Sequence, residues 1–451
     1  MPTEIHFLNR VGKKLLQWTG LGGAEVKMRA NAENWLELSD KVWHYRRDQL
    51  SEGERQDLLG RINALRQAYR DRADAGKLKL LIEELEGTLC RTGGKIYPKS
   101  ALVENVEFFL VAAIVILGIR TYFVQPFKIP TNSMWPSYYG MTPQAFPNPA
   151  DEPGLVAKAA RLLAYGAWPV RVDAPADGEI TMPVGSVGQG RAYVQYRNVP
   201  GRSWLVFPTT VKEYTLFVGE QPVTFTVPQD FDFEWAVLDA FFPPEARSHE
   251  PASVDLAKVW AAQDARRSEH DGRLGLLRTG RQVHRGERAM AFDILTGDQL
   301  FVDRISYHFV RPQVGQGFVF RTGNIPGIAR SFGDQYYIKR LIGVPGDTIQ
   351  IKEPVVWRNG APIAGAEAFQ KNAQRIDRYG GYQNGMAENG AQYLLNPDEK
   401  LAVPDGSYFA MGDNSANSAD GRYWGFVPAK DVAGKPLFIY YPFTKHWGPS
   451  K

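Results

Sequence analysis

Three short islands in this 451-residue chain carry residue types able to break a covalent bond. The first runs from Gln125 to Pro136 (QPFKIPTNSMWP) and centres on Ser133. The second runs from Tyr337 to Asp347 (YIKRLIGVPGD) and centres on Lys339. The third runs from Gly412 to Gly425 (GDNSANSADGRYWG) and holds Ser418, Asp420 and Arg422. A serine hydroxyl is a weak nucleophile until a neighbouring base takes its proton. The chain has no Gly-x-Ser-x-Gly elbow, and none of its seven histidines sits in an island that would bring it beside Ser133. A lysine can act as base only when neutral, and removal from water favours that form. Tyr337, Ile338, Leu341 and Ile342 give Lys339 apolar neighbours, and Ser-Lys pairs are a variant of the triad logic. Singly, each island has a plainer reading: a turn serine between prolines, a strand lysine pointing to water, a tight Gly-Asp-Asn turn.

Together, and in this order, the islands resemble the type I signal peptidase family, the leader peptidases of the Ser-Lys kind. Ser133-Met134 follows an apolar segment and a stretch containing Phe127, Ile129 and Pro130. Tyr337-Ile-Lys-Arg and Gly343-x-Pro-Gly-Asp347 match the lysine box. Gly412-Asp-Asn, Asn417-Ser, Asp420 and Arg422 to Gly425 match the last box. Weaker matches at Gly297 to Val302 and Val314 to Phe320 fall in family order. The resemblance implies Ser133 as nucleophile and Lys339 as general base, with Ser418 orienting the lysine by a hydrogen bond. It implies an oxyanion hole from the Ser133 N–H and the Thr131 hydroxyl; one such donor is typically worth about 10²–10³ in rate. Asp420 and Arg422 would be a structural pair near the site. Phe127, Ile129, Met134, Tyr337 and Ile338 would line shallow pockets for small side chains. The implied substrates are exported preproteins with small residues at −1 and −3, with the translocation machinery as a further partner and no cofactor or metal. The sequence departs from the family in having Thr131 where Ser or Gly is common, Ser415 in place of a frequent Arg, and a bulky Trp135. It also carries a long insertion between the Ser133 loop and Gly297.

The elements that must position these residues read as follows. Residues 31–92 have helical periodicity: Trp35, Leu38 and Val42, then Leu58, Ile62, Leu65 and Tyr69, then Leu78, Leu81, Ile82, Leu85 and Leu89. Ser51-x-x-Glu54 is a capping box for the second helix. Residues 1–30 lack the continuous apolar core of a signal peptide. The first strongly apolar run, Phe108 to Ile119, is by itself shorter than the roughly twenty residues of a bilayer span. Extending it from Val103 to Phe127 reaches that length and leaves Glu104, Glu107, Arg120 and Gln125 near the ends, where charged side chains can reach the interface. Arg91, Lys95 and Lys99 favour a cytoplasmic N-side. From about Tyr165 onward, short alternating runs bounded by Gly, Pro, Asn and Asp predict strands: Trp204–Phe207, Tyr214–Phe217, Val223–Val227, Phe318–Phe320 and Tyr336–Ile342. Glu245 to Arg288, charged and weakly periodic, reads as an exposed helix or loop.

The expected fold class is therefore a mainly β catalytic domain with one N-terminal transmembrane helix, a helical N-terminal domain and a large β-rich insert. The expected divisions are a helical cytoplasmic domain over 1–100, a transmembrane helix over 103–127, a catalytic domain over 128–140 and 291–443, and an insert over 141–290, β-rich to about 240. The expected location is a bacterial inner membrane, single-pass, with the catalytic domain on the periplasmic side and the lipid bilayer as a partner. One cysteine, Cys90, excludes an intrachain disulfide and multi-cysteine zinc sites. A net charge of +4 without a basic stripe argues against nucleic acid. Two other readings compete: a Ser-Lys peptidase with a different substrate, and a membrane-tethered interaction protein on an inactive peptidase scaffold.

Overall fold

The structure, a computed structural model, describes residues 24–99, 101–188, 190–203, 207–242, 250–263 and 274–450. The residues considered for a signal peptide lie mostly outside that set. So do Trp204 to Val206 of one expected strand and much of the 245–288 stretch. The chain divides into two compact units between Ile116 and Leu117.

In the first unit, helices α1 (Ala24–Arg46), α2 (Glu52–Arg70) and α3 (Ala75–Thr92) bury the expected apolar faces. Val42, Leu58, Ile62, Leu65, Leu78, Ile82, Leu85 and Leu89 share one core. The Ser51–Glu54 box forms reciprocally, and the Asp74 side chain caps α3 by accepting from the Lys77 N–H. Helix α4 (Ala101–Tyr122) has no buried residue and is the one helix, among the described residues, long and apolar enough to cross a bilayer. It is shorter at its C-terminal end than the expected span. Val124 to Lys128 leave the helix and form a strand, because Pro126 has no N–H to donate and disfavours helical geometry before it. At 1.5 Å per residue, 22 residues still reach about 33 Å, a bilayer's hydrocarbon thickness.

The second unit opens with β1 (Val124–Lys128) and β2 (Thr142–Ala145). Then come α5 (Leu155–Tyr165), β3 (Trp168–Asp173), β4 (Gly178–Gly188), β5 (Arg191–Val194), β6 (Tyr196–Ser203), β7 (Phe207–Val218), β8 (Gln221–Pro228), α6 (Phe233–Phe241) and α7 (Ala252–Ala262). The chain returns through β9 (Leu274–Val283) and β10 (Arg288–Leu295). It continues with β11 (Gln299–Asp303), β12 (Gly317–Arg321), β13 (Tyr336–Gly343), β14 (Thr348–Lys352), β15 (Val355–Arg358), β16 (Ala361–Pro362), β17 (Leu401–Ala402), β18 (Ser407–Met411), β19 (Phe426–Pro428) and β20 (Val432–Tyr441). The sheet that carries the islands has the order β1-β11-β20-β12-β13-β18-β19. Strands β4 to β9 form a second sheet, and β2, β10 and β3 a third.

The 245–288 stretch departs from its expected exposed helix or loop. Its described residues supply α7 and the strand β9, which pairs β4 from Gly178↔Val283 to Gly185↔Leu274. Pairing to a distant strand supplies the order that the local sequence does not advertise. Residues 141–290 also share one continuous core with the chain that follows: Phe292 and Ile294 pack in the same cluster as Met141, Ile180, Tyr214, Phe233 and Leu277.

Candidate active site

Ser133 lies in a single helical turn, Asn132–Met134, just beyond β1. The turn is fixed from both sides. The Asn132 amide donates to the Met141 carbonyl at 2.9 Å, and its side-chain oxygen accepts from the Gly140 N–H at 2.9 Å. Asn414 donates its N–H to the Ser133 carbonyl at 3.1 Å and its side-chain amide to the Asn132 carbonyl at 3.0 Å. Gly412 is needed where these segments cross, since a Cβ there would collide with both the Ser133 carbonyl oxygen and the Ser418 hydroxyl.

Lys339 arrives on β13, 206 residues along the chain, and its Nζ stands 2.6 Å from Ser133 Oγ. The residue is 4 % exposed. Burial pulls the amine down to about 8 from the ordinary 10.5; Asp420 and Asp413 push it up and Arg422 pushes it down. Each of these carboxylates is already answered by an arginine. Arg422 grips Asp420 in a two-pronged pair, Nε to Oδ1 and Nη2 to Oδ2, both at 2.9 Å. Asp420 also accepts from the Gly412 N–H at 3.0 Å, while Arg422 donates to the carbonyls of Ser415 and Gln383. With both nearby charges largely cancelled, desolvation decides the lysine's state.

A second buried pair flanks the amine. Arg340, the next residue of β13, donates to both oxygens of Asp413, which is 0 % exposed. Ser137 and Tyr382 also donate to Asp413, and Arg340 reaches the Gly315 carbonyl. Neighbouring strand residues point to opposite faces, so Lys339 and Arg340 serve two different sides of β13. Arg340 and Asp413 stand in the quoted islands but carried no assigned role. Their signal is an arginine inside an apolar strand, which must find a carboxylate when buried.

Two expected features take a different form. Ser418 is buried near Gly412, but its hydroxyl has no hydrogen-bond partner in this structure, so the expected bond to the lysine is not made. Its backbone is held independently, the carbonyl accepting from Arg422 at 3.3 Å, which leaves the hydroxyl free to rotate. Thr131 is exposed at the start of the Ser133 turn and makes no capping bond. The five expected pocket residues also divide. Phe127, Ile129, Met134 and Ile338 share one cluster, in which Met134 and Ile129 are buried floor and Phe127 and Ile338 are partly open. Tyr337 packs instead with Phe318 and Phe320, and its ring lies 5.8 Å from Lys339 Nζ.

Beside the dyad two strand edges are unpaired among the described residues. β1 pairs only with β11, on one side. β13 pairs β12 from Tyr336 to Arg340 but meets β18 only at Arg340, Leu341 and Gly343, leaving Tyr336 to Lys339 open on that side. The two edges approach one another, with the Phe127 and Tyr336 rings edge-to-face at 5.0 Å.

The family description "Signal peptidase, peptidase S26" matches residues 277–441. That span includes Lys339 and the last box and leaves Ser133 upstream of it. A signal peptidase I of Bacillus licheniformis is 34% identical over 150 residues, 33% of this chain and 70% of its own length. The chain belongs to the signal peptidase I family. A probable signal peptidase I-1 of Synechocystis sp. is 33% identical over 156 residues, 34% of this chain and 66% of its own. The signal peptidase I of Pseudomonas aeruginosa is 32% identical over 146 residues, 29% and 49% respectively. The chain thus spans less than two thirds of the length of these last two signal peptidases. The solved structure of a signal peptidase I from Enterococcus faecalis is 27% identical and covers 28% of this chain and 97% of its own, with a TM-score of 0.21.

Proposed function

We propose that this chain is a membrane-anchored signal peptidase that removes signal peptides from exported preproteins through a Ser133–Lys339 acyl-enzyme mechanism. The observation that carries the reading is a buried amine 2.6 Å from a serine hydroxyl, with no histidine taking part. The neutral Lys339 takes the Ser133 proton as Oγ attacks the scissile carbonyl, then returns it to the leaving amine. Water hydrolyses the ester with the same lysine as base. Thr131 Oγ and the Ser133 N–H stabilise the developing oxyanion. Ser418 rotates to meet the amine once it is charged; a buried unpaired hydroxyl is suited to that task. Asp420 and Arg422 hold the last box in place.

An extended preprotein segment fits between the open edges of β1 and β13 as an added strand, its main chain supplying the missing hydrogen bonds. The filled floor at Met134 and Ile129 leaves room beneath it only for small side chains at −1 and −3, with Phe127, Ile338 and Tyr337 as walls. Helix α4 anchors the chain in an inner membrane with its basic N-side in the cytoplasm and the 128–443 region outside. The test is cleavage of a purified preprotein by the full chain in detergent. Ser133→Ala and Lys339→Ala should abolish processing and keep the fold. Normal cleavage by either variant, or indifference to bulk at −1 and −3 in a peptide library, refutes the proposal.

A further inference from the structure

The long insertion has no part in the chemistry above, yet it touches the site's supports in three places. Trp135, two residues after Ser133, places its ring edge-on against Trp235 of α6, centroids 5.5 Å apart at 85°. Arg191, at the start of β5, donates from Nη2 to the Ala416 carbonyl at 2.8 Å. Ala416 lies midway between Asn414, which holds the Ser133 carbonyl, and Ser418. Glu250 accepts from the side chain of Gln383, whose N–H donates to Ser415 Oγ and whose carbonyl takes Arg422.

The first two contacts come from elements that share one hydrophobic core. Glu234, next to Trp235 in α6, accepts from the Val194 N–H of β5 at 2.9 Å, tying together the elements that carry the two prongs. The Asp232 side chain caps α6 by accepting from the Trp235 N–H. Behind them Phe231, Phe233, Ala236 and Val237 are fully buried, with Phe233 against Tyr214 at 4.4 Å. One prong presses the chain that leaves the nucleophile; the other fixes the loop that grips it from the opposite side. The turn ahead of α6 also comes near the open strand edges, where the charge of Asp230 reaches Tyr337 of β13.

We infer that Trp235 and Arg191 are positioning residues: the insertion is a two-pronged clamp that holds the Ser133 turn and the 412–418 loop in register with Lys339. The inference rests on the proposed Ser-Lys reading. The dyad is assembled from remote segments, and a displacement of about 1 Å in a reacting group can cost 10²-fold in rate. A clamp acting through position lowers kcat and leaves substrate capture and the lysine's titration in place.

The experiment measures preprotein cleavage by the full chain in detergent micelles, per folded protein, for Trp235→Ala, Trp235→Phe, Arg191→Ala and Arg191→Lys, with Ser133→Ala alongside. The expected result is a fall in kcat of about ten- to a hundredfold in the two alanine variants. KM should stay within about twofold, the pH limb should not move, and Phe and Lys should restore much of the rate. Arg191→Ala removes one hydrogen bond and no core volume, so it keeps the test decisive where Trp235→Ala fails to fold. Wild-type kcat in a folded Arg191→Ala, and in Trp235→Ala where that variant folds, overturns the inference alone. A wild-type chain that does not cleave, or a Ser133→Ala chain that does, brings down the Ser-Lys reading and the clamp together.

Discussion

Titrating Lys339 offers the sharpest test of the mechanism. Burial brings the amine to about 8, so about one molecule in ten carries the neutral base at pH 7, against roughly one in 3,000 at an unshifted 10.5. Desolvation is thus worth roughly 300-fold in competent enzyme at neutral pH. The logarithm of kcat/KM should rise with unit slope from pH 6, bend near pH 8 and flatten above it, with pH 6 roughly a hundredfold below the plateau. The assay is initial-rate cleavage of a purified preprotein by the full chain in detergent from pH 6 to 10. Lys339→Arg, which keeps its charge throughout, should be inactive at every pH. A rate still climbing with unit slope at pH 10 would mean a hydrated amine. A limb near 6.5 would mean a histidine is the base. Either refutes the reasoning.

Stability carries the same titration with its own sign. A folded pKa below the unfolded one means the native state binds fewer protons between about pH 8 and 10.5, so Lys339 costs about 3 kcal/mol below pH 8 and the cost fades as pH rises. Lys339→Met should therefore unfold at higher denaturant than wild type at pH 7, and the gap should close near pH 10.5. Asp413→Ala leaves Arg340 charged and unpartnered in the interior and should cost about 3–5 kcal/mol, read as a lower unfolding midpoint. Gly412→Ala drives a methyl into the Ser133 carbonyl and should lower kcat about a hundredfold while the chain still folds. Ser51→Ala removes the α2 cap and should destabilise the helical unit by about 1 kcal/mol without altering cleavage.

What the sequence makes legible follows from where the physics is local. Ser133 and Lys339 stand in short runs whose composition already indicates a turn and an apolar strand, and the capping box at Ser51 is a four-residue pattern. The Arg340–Asp413 pair is not legible in that way, because its partners are 73 residues apart and neither announces the other. The end of α4 was hidden by an apolar run that continues past the helix, although Pro126 marks the break. β10 is buried along nearly its whole length, Arg288 and Asp293 included, so its sequence has no apolar–polar alternation to mark it. Ser418 stands in a legible island, but a hydroxyl's rotation is set by the charge on its neighbour, which no linear pattern records. The Trp135–Trp235 contact joins residues a hundred positions apart and has no signature in either neighbourhood.

If Ser133 and Lys339 act as proposed, their distribution along the chain also governs when the protein becomes dangerous to its surroundings. During synthesis Ser133 leaves the ribosome first, Lys339 follows two hundred residues later, and the loop around Asn414 and Asp420 comes after both. An unfinished polypeptide therefore holds a hydroxyl with nothing to ionise it. On the proposed mechanism, proteolytic competence waits until all three segments have been made and have met.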